Sequence, residues 1–551
     1  MLRNVELDFS ETGRMSLSMK GITVFVGPNN SGKSLVLREI EKLFEVHPFP
    51  AGLHIVRDYE VDWPDRPSVE KRLAALKRQQ PLTTPVGHVM INRVHPGRGR
   101  EAGQLDVKQI LSIIDQKTEK NWIATQYLKY GILRLDGRSR FDLTNDMGGG
   151  DITADPQNML MHLFKNDKAR MKVRDFVYDA FNLYFVVDPT NLGNLRIKLS
   201  DKKPTGDEQS LNEKAREFYT ASTHIKESSD GVQAFTGIIT AILSGEYHTI
   251  LIDEPEAFLH PPLARKLGKN LASLAASGGG SLVASTHSAD FLMGCVQASK
   301  SVRVVRLEYS KGKSRARAID PAELGSLLTR PLMRSANVIS GLFHDGVIVL
   351  ESDNDRAFYS EVYHRLAEKK SNYPAILFIN AQNKQTIRDI IGPLRRFGVP
   401  AAAIPDVDIV KDGGKTWSDW MNAAHIPVAL HMGYGQTRGS IKAAFEATGK
   451  DMKTQGGTEL LDPAEKAAAN KFFDDLNAYG IFPVRGGELE GWLSRLNVPG
   501  KKTDWTVAML ERLGSDPSKP TYVKPGRGDV WTFLEDIVDW IRNSSRLGMP
   551  S

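Results

Sequence analysis

The chain has 551 residues, of which 41% are hydrophobic and 25% charged, and a net charge of +6, values typical of a globular protein with about two to four domains. No apolar run approaches the roughly 18–20 residues of a membrane span, and the charged N-terminal sequence MLRNVELDFS lacks the apolar segment of a secretory signal, so we predict a cytoplasmic protein without membrane association. The single cysteine, Cys295, excludes an intrachain disulfide, a cysteine-based zinc site and a CxxC redox motif.

Strand-like and helical patterns alternate through much of the first 330 residues. A buried strand at 21–26 runs directly into a glycine-rich turn and then into a helical pattern. This alternation predicts a mainly parallel sheet covered by helices. In chain order, we predict strands at 4–9 and 21–26, helices at 35–44 and 231–243, and strands at 249–252 and 281–285.

Residues from about 55 to 145 differ from their surroundings, because they are polar and mostly helical in period. We interpret this stretch as an insertion. Between residues 61 and 141 it holds 15 Lys and Arg against 8 Asp and Glu, a local excess of seven positive charges. Such a surface attracts polyanions, most commonly nucleic acid. The stretch binds DNA, binds another subunit or is only a solvated helical face, and the sequence leaves these alternatives open.

A second β–α series begins near residue 346. The segment before it contains Arg330-Pro331, so we predict a linker at 331–345 between an N-terminal domain, 1–330, and a C-terminal domain, 346–551. The predicted elements of the second domain are strands at 347–350, 375–379, 399–404 and 481–484, with a polar helical insertion at about 433–480.

The turn after the strand at 21–26 carries a phosphate-binding motif. Its sequence, Gly-Pro-Asn-Asn-Ser-Gly-Lys-Ser at 27–34, matches G-x-x-x-x-G-K-[ST] between a strand and a helix. In this motif the backbone N–H groups of the loop close on the phosphates, the lysine reaches the β- and γ-phosphates, and the final hydroxyl ligates Mg²⁺. We therefore predict that ATP and Mg²⁺ bind here, with the contributing residues Asn29, Asn30, Ser31, Gly32, Lys33 and Ser34.

The strand at 249–252 ends in two carboxylates. Asp253 falls at the carboxyl edge of the sheet, beside the Mg²⁺ that Ser34 would hold, and Glu254 follows where a general base for the attacking water is needed. His287 stands at the end of the next strand and is placed to sense the γ-phosphate, although a histidine there is often only a capping or core residue.

Between these motifs, Ser229-Asp230-Gly231 resembles a degenerate form of the signature sequence of ABC-type ATPases. The residues at 254–261 resemble the Walker B and D-loop sequence of the soluble, DNA-linked branch of that family. The resemblance implies that these residues cover the nucleotide bound to a second subunit and that hydrolysis needs a dimer. The same three residues are typical of a helix N-cap, and the two interpretations are compatible.

A second cluster of carboxylates follows two strands of the C-terminal domain. Glu351 ends the strand at 347–350, with Asp355 at a helix start, and Asp406 and Asp408 follow the strand at 399–404. Parallel strands end at the same edge of a sheet, so we expect these groups to meet. Clustered carboxylates need a cation, and hard oxygen ligands suit Mg²⁺ or Mn²⁺. The alternative is that some of these acids cap a helix and the others are loop residues without a metal.

This arrangement resembles the TOPRIM fold of topoisomerases, primases and certain nucleases, in which the glutamate and the Asp-x-Asp pair bind metal. One departure is Ser352, which stands where the family usually has glycine. Glu488 and Glu490 are candidates for a second metal position, although they are almost equally typical of a solvated helix start. Lys524 is a candidate residue for stabilising the phosphate in the transition state.

Taken together, the two motif sets and the junction at 341–349 resemble the overcoming-lysogenisation-defect (OLD) nucleases. The resemblance implies an α/β chain in which an ABC-type P-loop ATPase domain with a mostly helical insertion precedes a Rossmann-like TOPRIM domain. It also implies metal-dependent nicking or cleavage of DNA, assembly as a homodimer or tetramer through the ATPase domain, and a role in anti-phage defence with a partner protein or retron RNA/DNA.

Two other functions stay open. The first is a toxin-like RNase, for example against transfer RNA, gated by a sensor partner. The second is a non-nucleolytic DNA-repair or chromosome-linked ATPase that acts as a clamp.

Overall fold

The computed structural model describes residues 2–77, 84–96, 99–137, 140–205, 208–245, 247–278, 280–330, 333, 337–368 and 370–550. The chain forms two compact units, of which the first comprises Met1–Val26 and Asn30–Ala322 and the second comprises Glu323–Ser551 together with Gly27–Asn29. Within the described ranges, no helix is both long and apolar enough to cross a bilayer.

The first unit combines strands of several sheets with helices. Its strands are β1 (Leu2–Phe9), β2 (Gly13–Ser18), β3 (Gly21–Val26), β4 (Val56–Val61), β5 (His88–His95), β6 (Gly99–Asp106), β7 (Ile132–Leu135), β8 (Met147–Gly148), β9 (Tyr184–Asp188), β10 (Asn194–Ser200), β11 (Thr223–His224), β12 (Thr249–Asp253), β13 (Ser281–Ser285), β14 (Arg303–Ser310) and β15 (Lys313–Ile319). Its helices span Lys33–Glu45, Arg66–Lys77, Val107–Gln116, Lys120–Gln126, Met159–Lys165, Asp167–Phe181, Glu213–Ala221, Asp230–Leu243, Pro261–Gly278 and Ala289–Ala298, and Pro321–Thr329 follows at the boundary.

The central sheet of this unit has the order β15-β14-β3-β13-β12-β7. All neighbouring pairs are parallel except β14 with β15, which confirms the predicted sheet. Asp253 pairs in register with Ser285, and Ser285 pairs with Phe25. The loop after β3 and the carboxylates after β12 therefore emerge at one edge of the sheet, on either side of β13.

The structure corrects the extent of the insertion predicted at 55–145. Although three helices lie in this stretch, its two ends belong to the sheets: β4 pairs antiparallel with β1, and β7 pairs parallel with β12. β5 and β6 form a hairpin between them. The sequence pattern missed β4 because its exposed positions are charged, and missed β7 because a strand of four residues is too short to establish a period.

The second unit is built on the parallel sheet β17-β16-β18, formed by β16 (Gly346–Leu350), β17 (Ile376–Asn380) and β18 (Ala401–Ile404). Ile481 and Val484 bridge to Ala403 and Asp406 and extend the sheet beyond β18. The helices span Asp353–Glu368, Lys384–Arg396, Gly414–Ala423, Val428–Ala447, Pro463–Ala478, Lys502–Leu513 and Asp529–Arg542. This α/β arrangement confirms the Rossmann-like domain, and helices Val428–Ala447 and Pro463–Ala478 lie where the helical insertion was predicted.

The linker predicted at 331–345 also needs correction. Residues 331, 332 and 334–336 lie outside the described residues. The rest of the segment belongs to the second unit: Val338 and Leu342 are fully buried, and a Cβ on Gly341 would lie 2.9 Å from the Val347 side chain. Two consecutive turns of small and apolar residues pack against β16, so the segment is part of the core and does not act as a spacer.

Candidate nucleotide and metal sites

The phosphate-binding loop depends on backbone conformations that its residues favour. Asn30 and Gly32 have φ angles of 61° and 94°, in the left-handed region, and helix Lys33–Glu45 begins immediately afterwards. The N-terminus of this helix directs backbone N–H groups and positive dipole towards the loop, as an anion site requires. Asn29 and Asn30 are exposed, whereas Ser31 is buried and its hydroxyl accepts a hydrogen bond from the Lys33 ammonium at 3.3 Å.

The two predicted magnesium ligands of the first unit are in direct contact. The Ser34 hydroxyl donates to Asp253 Oδ1 at 2.9 Å, and the Ser285 hydroxyl donates to the same oxygen. A hydroxyl from the start of the helix after β3 and a carboxylate from the end of β12 are suitable oxygen donors for the Mg²⁺ that accompanies a nucleoside triphosphate.

Burial lowers the pKa of Lys33 to about 8, against the opposing charges of Glu254 and Asp253. Burial, followed by the charge of Lys33, lowers the pKa of His287 to about 4. His287 is therefore neutral at pH 7, and its ring Nε2 lies 3.6 Å from Glu254 Oε1. A neutral imidazole beside the predicted general base acts through hydrogen bonding and not as a cation.

Arg140 shapes the turn after β12, although no sequence motif points to it. This side chain is almost fully buried and donates to the carbonyl oxygens of Asp253 at 3.2 Å, Glu254 at 2.7 Å and Ala257 at 3.0 Å. The turn includes Glu254 at a φ of 50°, an uncommon conformation for glutamate. Arg140 belongs to no local motif. In the sequence it is one of many cations in the stretch that we interpret as an insertion.

Glu256 is a second residue of this turn whose role the sequence motifs do not indicate. Its Oε1 accepts the backbone N–H of His287 at 2.7 Å, and burial raises the pKa of its carboxyl. The carboxylate thereby joins the turn after β12 to the loop after β13.

The signature-like residues stand at the start of helix Asp230–Leu243. Ser229 occupies the N-cap position but makes no side-chain cap hydrogen bond to the described residues, and both Ser229 and Asp230 are exposed. A Cβ on Gly231 would lie 3.0 Å from the carbonyl oxygen of Phe258, so a larger residue would crowd this backbone. The helix N-terminus is thus open to an incoming anion.

In the second unit, three predicted residues form one cluster. Glu351, Asp406 and Asp408 each offer an oxygen, and the three oxygens lie within 4.8 Å of one another. Burial, followed by the charge of Asp406, raises the pKa of Glu351 to about 7, and burial also raises the pKa of Asp406. Three converging hard oxygen donors at one sheet edge fit Mg²⁺ or Mn²⁺.

Asp355 is placed differently from this cluster. Its Oδ2 accepts hydrogen bonds from the backbone N–H of Ser352 at 2.9 Å and from the Ser352 hydroxyl at 2.8 Å. Burial raises its pKa to about 6, and the nearby charge of Asp406 contributes to the rise. The serine that replaces the usual glycine therefore orients Asp355 beside the cluster, and a metal-ligand role for Asp355 stays a prediction.

The remaining predicted residues are not members of the group formed by Glu351, Asp406 and Asp408. Glu488 is half-buried, and burial followed by the charge of Glu490 raises its pKa. Glu490 Oε1 accepts the backbone N–H of Lys502 at 2.6 Å, so it caps the following helix. Lys524 is exposed, and its catalytic role stays a prediction.

Two lysines that the sequence did not single out balance the charge of the cluster. The Lys453 ammonium lies 2.5 Å from Asp406 Oδ2. Lys384 lies 3.1 Å from Asp408 Oδ1 and 3.3 Å from Asp412 Oδ1. Both come from elements distant in sequence from the carboxylates, so no spacing motif could have found them.

Two family models match the chain. The model described as "AAA domain, putative AbiEii toxin, Type IV TA system" matches residues 157–294, and the "Overcoming lysogenization defect protein-like, TOPRIM domain" model matches residues 342–408. The first match includes Ser229, Asp253, Glu254 and His287, and the second ends at Asp408. No curated protein matches the chain.

Among solved structures, the chain is similar to an Smc head bound to the C-terminal winged-helix domain of ScpA, with 12% identity, 59% of this chain and 99% of the other covered, and a TM-score of 0.34. It is also similar to the SMC head domain from Thermotoga maritima, with 13% identity, 58% and 99% covered, and a TM-score of 0.30. An Smc head domain with an extended coiled coil, bound to the C-terminal domain of ScpA derived from Pyrococcus furiosus, has 13% identity, 60% and 98% covered, and a TM-score of 0.28. These similarities are remote, and the assignment of the chain rests on the family matches.

The two matches place the chain in the class of proteins that join an ATPase domain to a TOPRIM domain, and these domains imply the use of a nucleotide and a divalent metal. Within that class, the chain has the architecture of the OLD family nucleases, as its motifs predicted.

Proposed function

We propose that the protein is a metal-dependent endonuclease that nicks or cleaves DNA at the TOPRIM site, under the control of its ATPase domain. The observation that carries the proposal is the convergence of Glu351, Asp406 and Asp408 at the carboxyl edge of the parallel sheet. Mg²⁺ or Mn²⁺ held there would activate water and stabilise the oxygens of a phosphodiester undergoing displacement.

The side chains around the cluster support this chemistry. Asp406 donates its backbone N–H to Glu351 Oε1 at 3.2 Å, which orients the glutamate within the cluster. Lys384 fixes Asp408 through its bridge to Asp412. The residues of the chain thereby position the carboxylates before metal and substrate arrive.

The ATPase site supports a regulatory role. Lys33, Ser34 and Asp253 would hold ATP and Mg²⁺, Glu254 would accept a proton from the attacking water, and His287 would hydrogen-bond near the γ-phosphate. Ser229, Asp230 and Gly231, at the open N-terminus of their helix, would contact the nucleotide of a second copy of the chain in a homodimer or tetramer. Cytoplasmic defence against phage is the biological role that we infer from the family.

A nicking assay on supercoiled plasmid tests this function, with Mg²⁺ or Mn²⁺ and with or without ATP. We expect Asp406→Asn to reduce nicking on the order of 10³-fold or more, because several kcal/mol of metal-derived stabilisation is lost. Asp504→Asn is the matched control, since Asp504 is exposed in the first turn of helix Lys502–Leu513 and should leave nicking unchanged.

Other outcomes distinguish the alternatives. Cleavage of transfer RNA but not of plasmid would overturn the DNA nuclease in favour of the RNase. ATP- and DNA-dependent assembly without breaks in either nucleic acid would support the clamp.

A further inference from the structure

Lys453 reaches the metal cluster from the helical insertion. It lies in the loop between helices Val428–Ala447 and Pro463–Ala478, and its ammonium is 2.5 Å from Asp406 Oδ2. Burial opposes the charged form, but the hydrogen bond to Asp406 and the charges of Asp408 and Glu351 outweigh it, so the pKa of Lys453 is raised. The insertion thus supplies a permanent cation to the cluster.

The backbone that carries Lys453 is held tightly against the turn after residue 484. Gly487 has a φ of 115°, and a Cβ there would lie 2.0 Å from the Lys453 carbonyl oxygen. Gly457 has a φ of 57°, and a Cβ there would lie 2.0 Å from the carbonyl oxygen of Arg485. Thr458 donates its backbone N–H to the same Arg485 oxygen at 2.9 Å. Because the two backbones touch, Lys453 is anchored beside the cluster and only its side chain can move.

The two lysines at the cluster differ in how they are held. Lys384 is bound by two carboxylates, Asp408 and Asp412, of which only the first belongs to the cluster. Lys453 faces Asp406, a cluster member, and 29% of its side chain is exposed. A divalent ion at the cluster repels both ammonium groups. Lys384 can keep its bond to Asp412, whereas the ion pair that Lys453 makes within the described ranges is to Asp406, so the ion competes with Lys453 for that carboxylate.

A displaced Lys453 ammonium still lies within one side-chain length of the bound ion. A phosphate group that coordinates the same ion brings its remaining anionic oxygens into this space, and an ammonium is an effective partner for them. We propose that Lys453 is a phosphate-contacting residue of the nucleic-acid site: it neutralises Asp406 in the metal-free protein and binds a backbone phosphate of the substrate once a divalent ion has taken its place. This inference rests on the proposed function, because it takes the cluster as the place where a nucleic-acid phosphate meets a metal.

Nucleic-acid binding in the presence and absence of metal tests the proposal. A fluorescent DNA oligonucleotide is titrated with the full-length wild-type protein, Lys453→Met and Lys450→Met, by anisotropy, with saturating Ca²⁺ as a probe ion and again with EDTA. Lys450 is the matched control, because it is exposed in the same loop three residues earlier. We expect Lys453→Met to weaken binding about tenfold with Ca²⁺, the cost of one charge-assisted hydrogen bond, and to change it less than about twofold with EDTA.

Equal weakening of binding in Ca²⁺ and in EDTA would show a general charge effect and would overturn the proposal, as would unchanged binding in both. Thermal unfolding identifies a misfolded variant, and Lys453→Arg, which keeps the charge, is expected to restore at least part of the Ca²⁺-dependent binding. Failure of restoration in a folded Lys453→Arg protein would count against a phosphate contact. The assay does not depend on strand breakage. A wild-type protein that binds DNA but does not nick it would therefore contradict the proposed function and not the role of Lys453.

Discussion

The two candidate sites shift the pKa of a lysine in opposite directions. At the ATPase site burial dominates the environment of Lys33 and lowers its pKa to about 8. At the TOPRIM site burial also opposes the charged form of Lys453, but the hydrogen bond to Asp406 and the charges of Asp406, Asp408 and Glu351 together outweigh burial and raise the pKa. The first lysine is stabilised in its charged form when a polyphosphate binds, whereas the second is already stabilised in the protein alone. The ATPase site is therefore built for an anion, and the TOPRIM site for a cation.

The carboxylates show the same contrast. Asp253 is hydrogen-bonded by the neutral hydroxyls of Ser34 and Ser285, which orient it without cancelling its charge. Burial, followed by repulsion from Asp406, raises the pKa of Glu351 to about 7. A single carboxylate suits an ion that arrives with its own phosphate ligands, while three carboxylates hold an ion with protein oxygens.

If the two sites are chemically separate, Lys33→Ala removes one activity and leaves the other. We expect ATP hydrolysis to fall on the order of 10²–10³-fold, because the cation facing the β- and γ-phosphates is lost. Metal-dependent nicking without ATP should persist. Phosphate release and plasmid nicking measured on one preparation check both parts, with Lys42→Ala, exposed near the end of the same helix, as the control. Loss of both activities would contradict the separation.

The second test concerns the turn that carries Glu254. Arg140→Met removes the donor shared by three carbonyl oxygens, so we expect ATP hydrolysis to fall about tenfold and the free energy of unfolding to fall by about 1–3 kcal/mol. DNA nicking without ATP should not change. The readouts are hydrolysis below the melting temperature and chemical unfolding.

Arg174→Met is the matched control for this change, because Arg174 donates to the Phe185 carbonyl oxygen and pairs with Glu208 away from the turn. It should lower stability while preserving ATP hydrolysis per folded molecule. Equal losses of hydrolysis in both variants would show that stability alone explains the effect.

The smallest expected effect is a pH dependence confined to the TOPRIM site. Mn²⁺ binds the ionised carboxylate, so its affinity should rise severalfold between about pH 5.5 and 8, as Glu351 with a pKa of about 7 loses its proton. In the metal-free protein, the free energy of unfolding changes with pH in the opposite direction to the Mn²⁺ affinity. The folded state keeps this proton above the ordinary pKa of 4.5, so the free energy of unfolding contributed by Glu351 falls as the pH rises from 4.5 to 7.

Mn²⁺ titration by electron paramagnetic resonance and unfolding in EDTA across this range measure both effects. Glu351→Gln should reduce the slope of the two profiles, and Asp355 and Asp406, whose pKa values are also raised, should contribute the slope that remains. A wild-type affinity that does not vary with pH would show that the carboxylates are ionised throughout.

Short motifs were sufficient to predict where the main candidate residues of both sites lie in the fold. The loop at 27–34, Asp253 after its strand, and Glu351, Asp406 and Asp408 could be located because parallel strands carry their C-terminal residues to one edge of a sheet. The order of an ATPase domain and a TOPRIM domain followed from the same motifs, and the family matches confirm it.

Local spacing could not reveal the partners of these motifs. Arg140 is 114 residues from Glu254, and Lys453 meets Asp406 only because a helical insertion folds back on the turn at 485–487. The strands β4 and β7 and the buried segment at 337–345 likewise acquire their roles by pairing or packing with distant elements. Motifs of consecutive residues encode which chemistry is present, whereas the charges that balance it come from long-range packing, which leaves no fixed spacing in the chain.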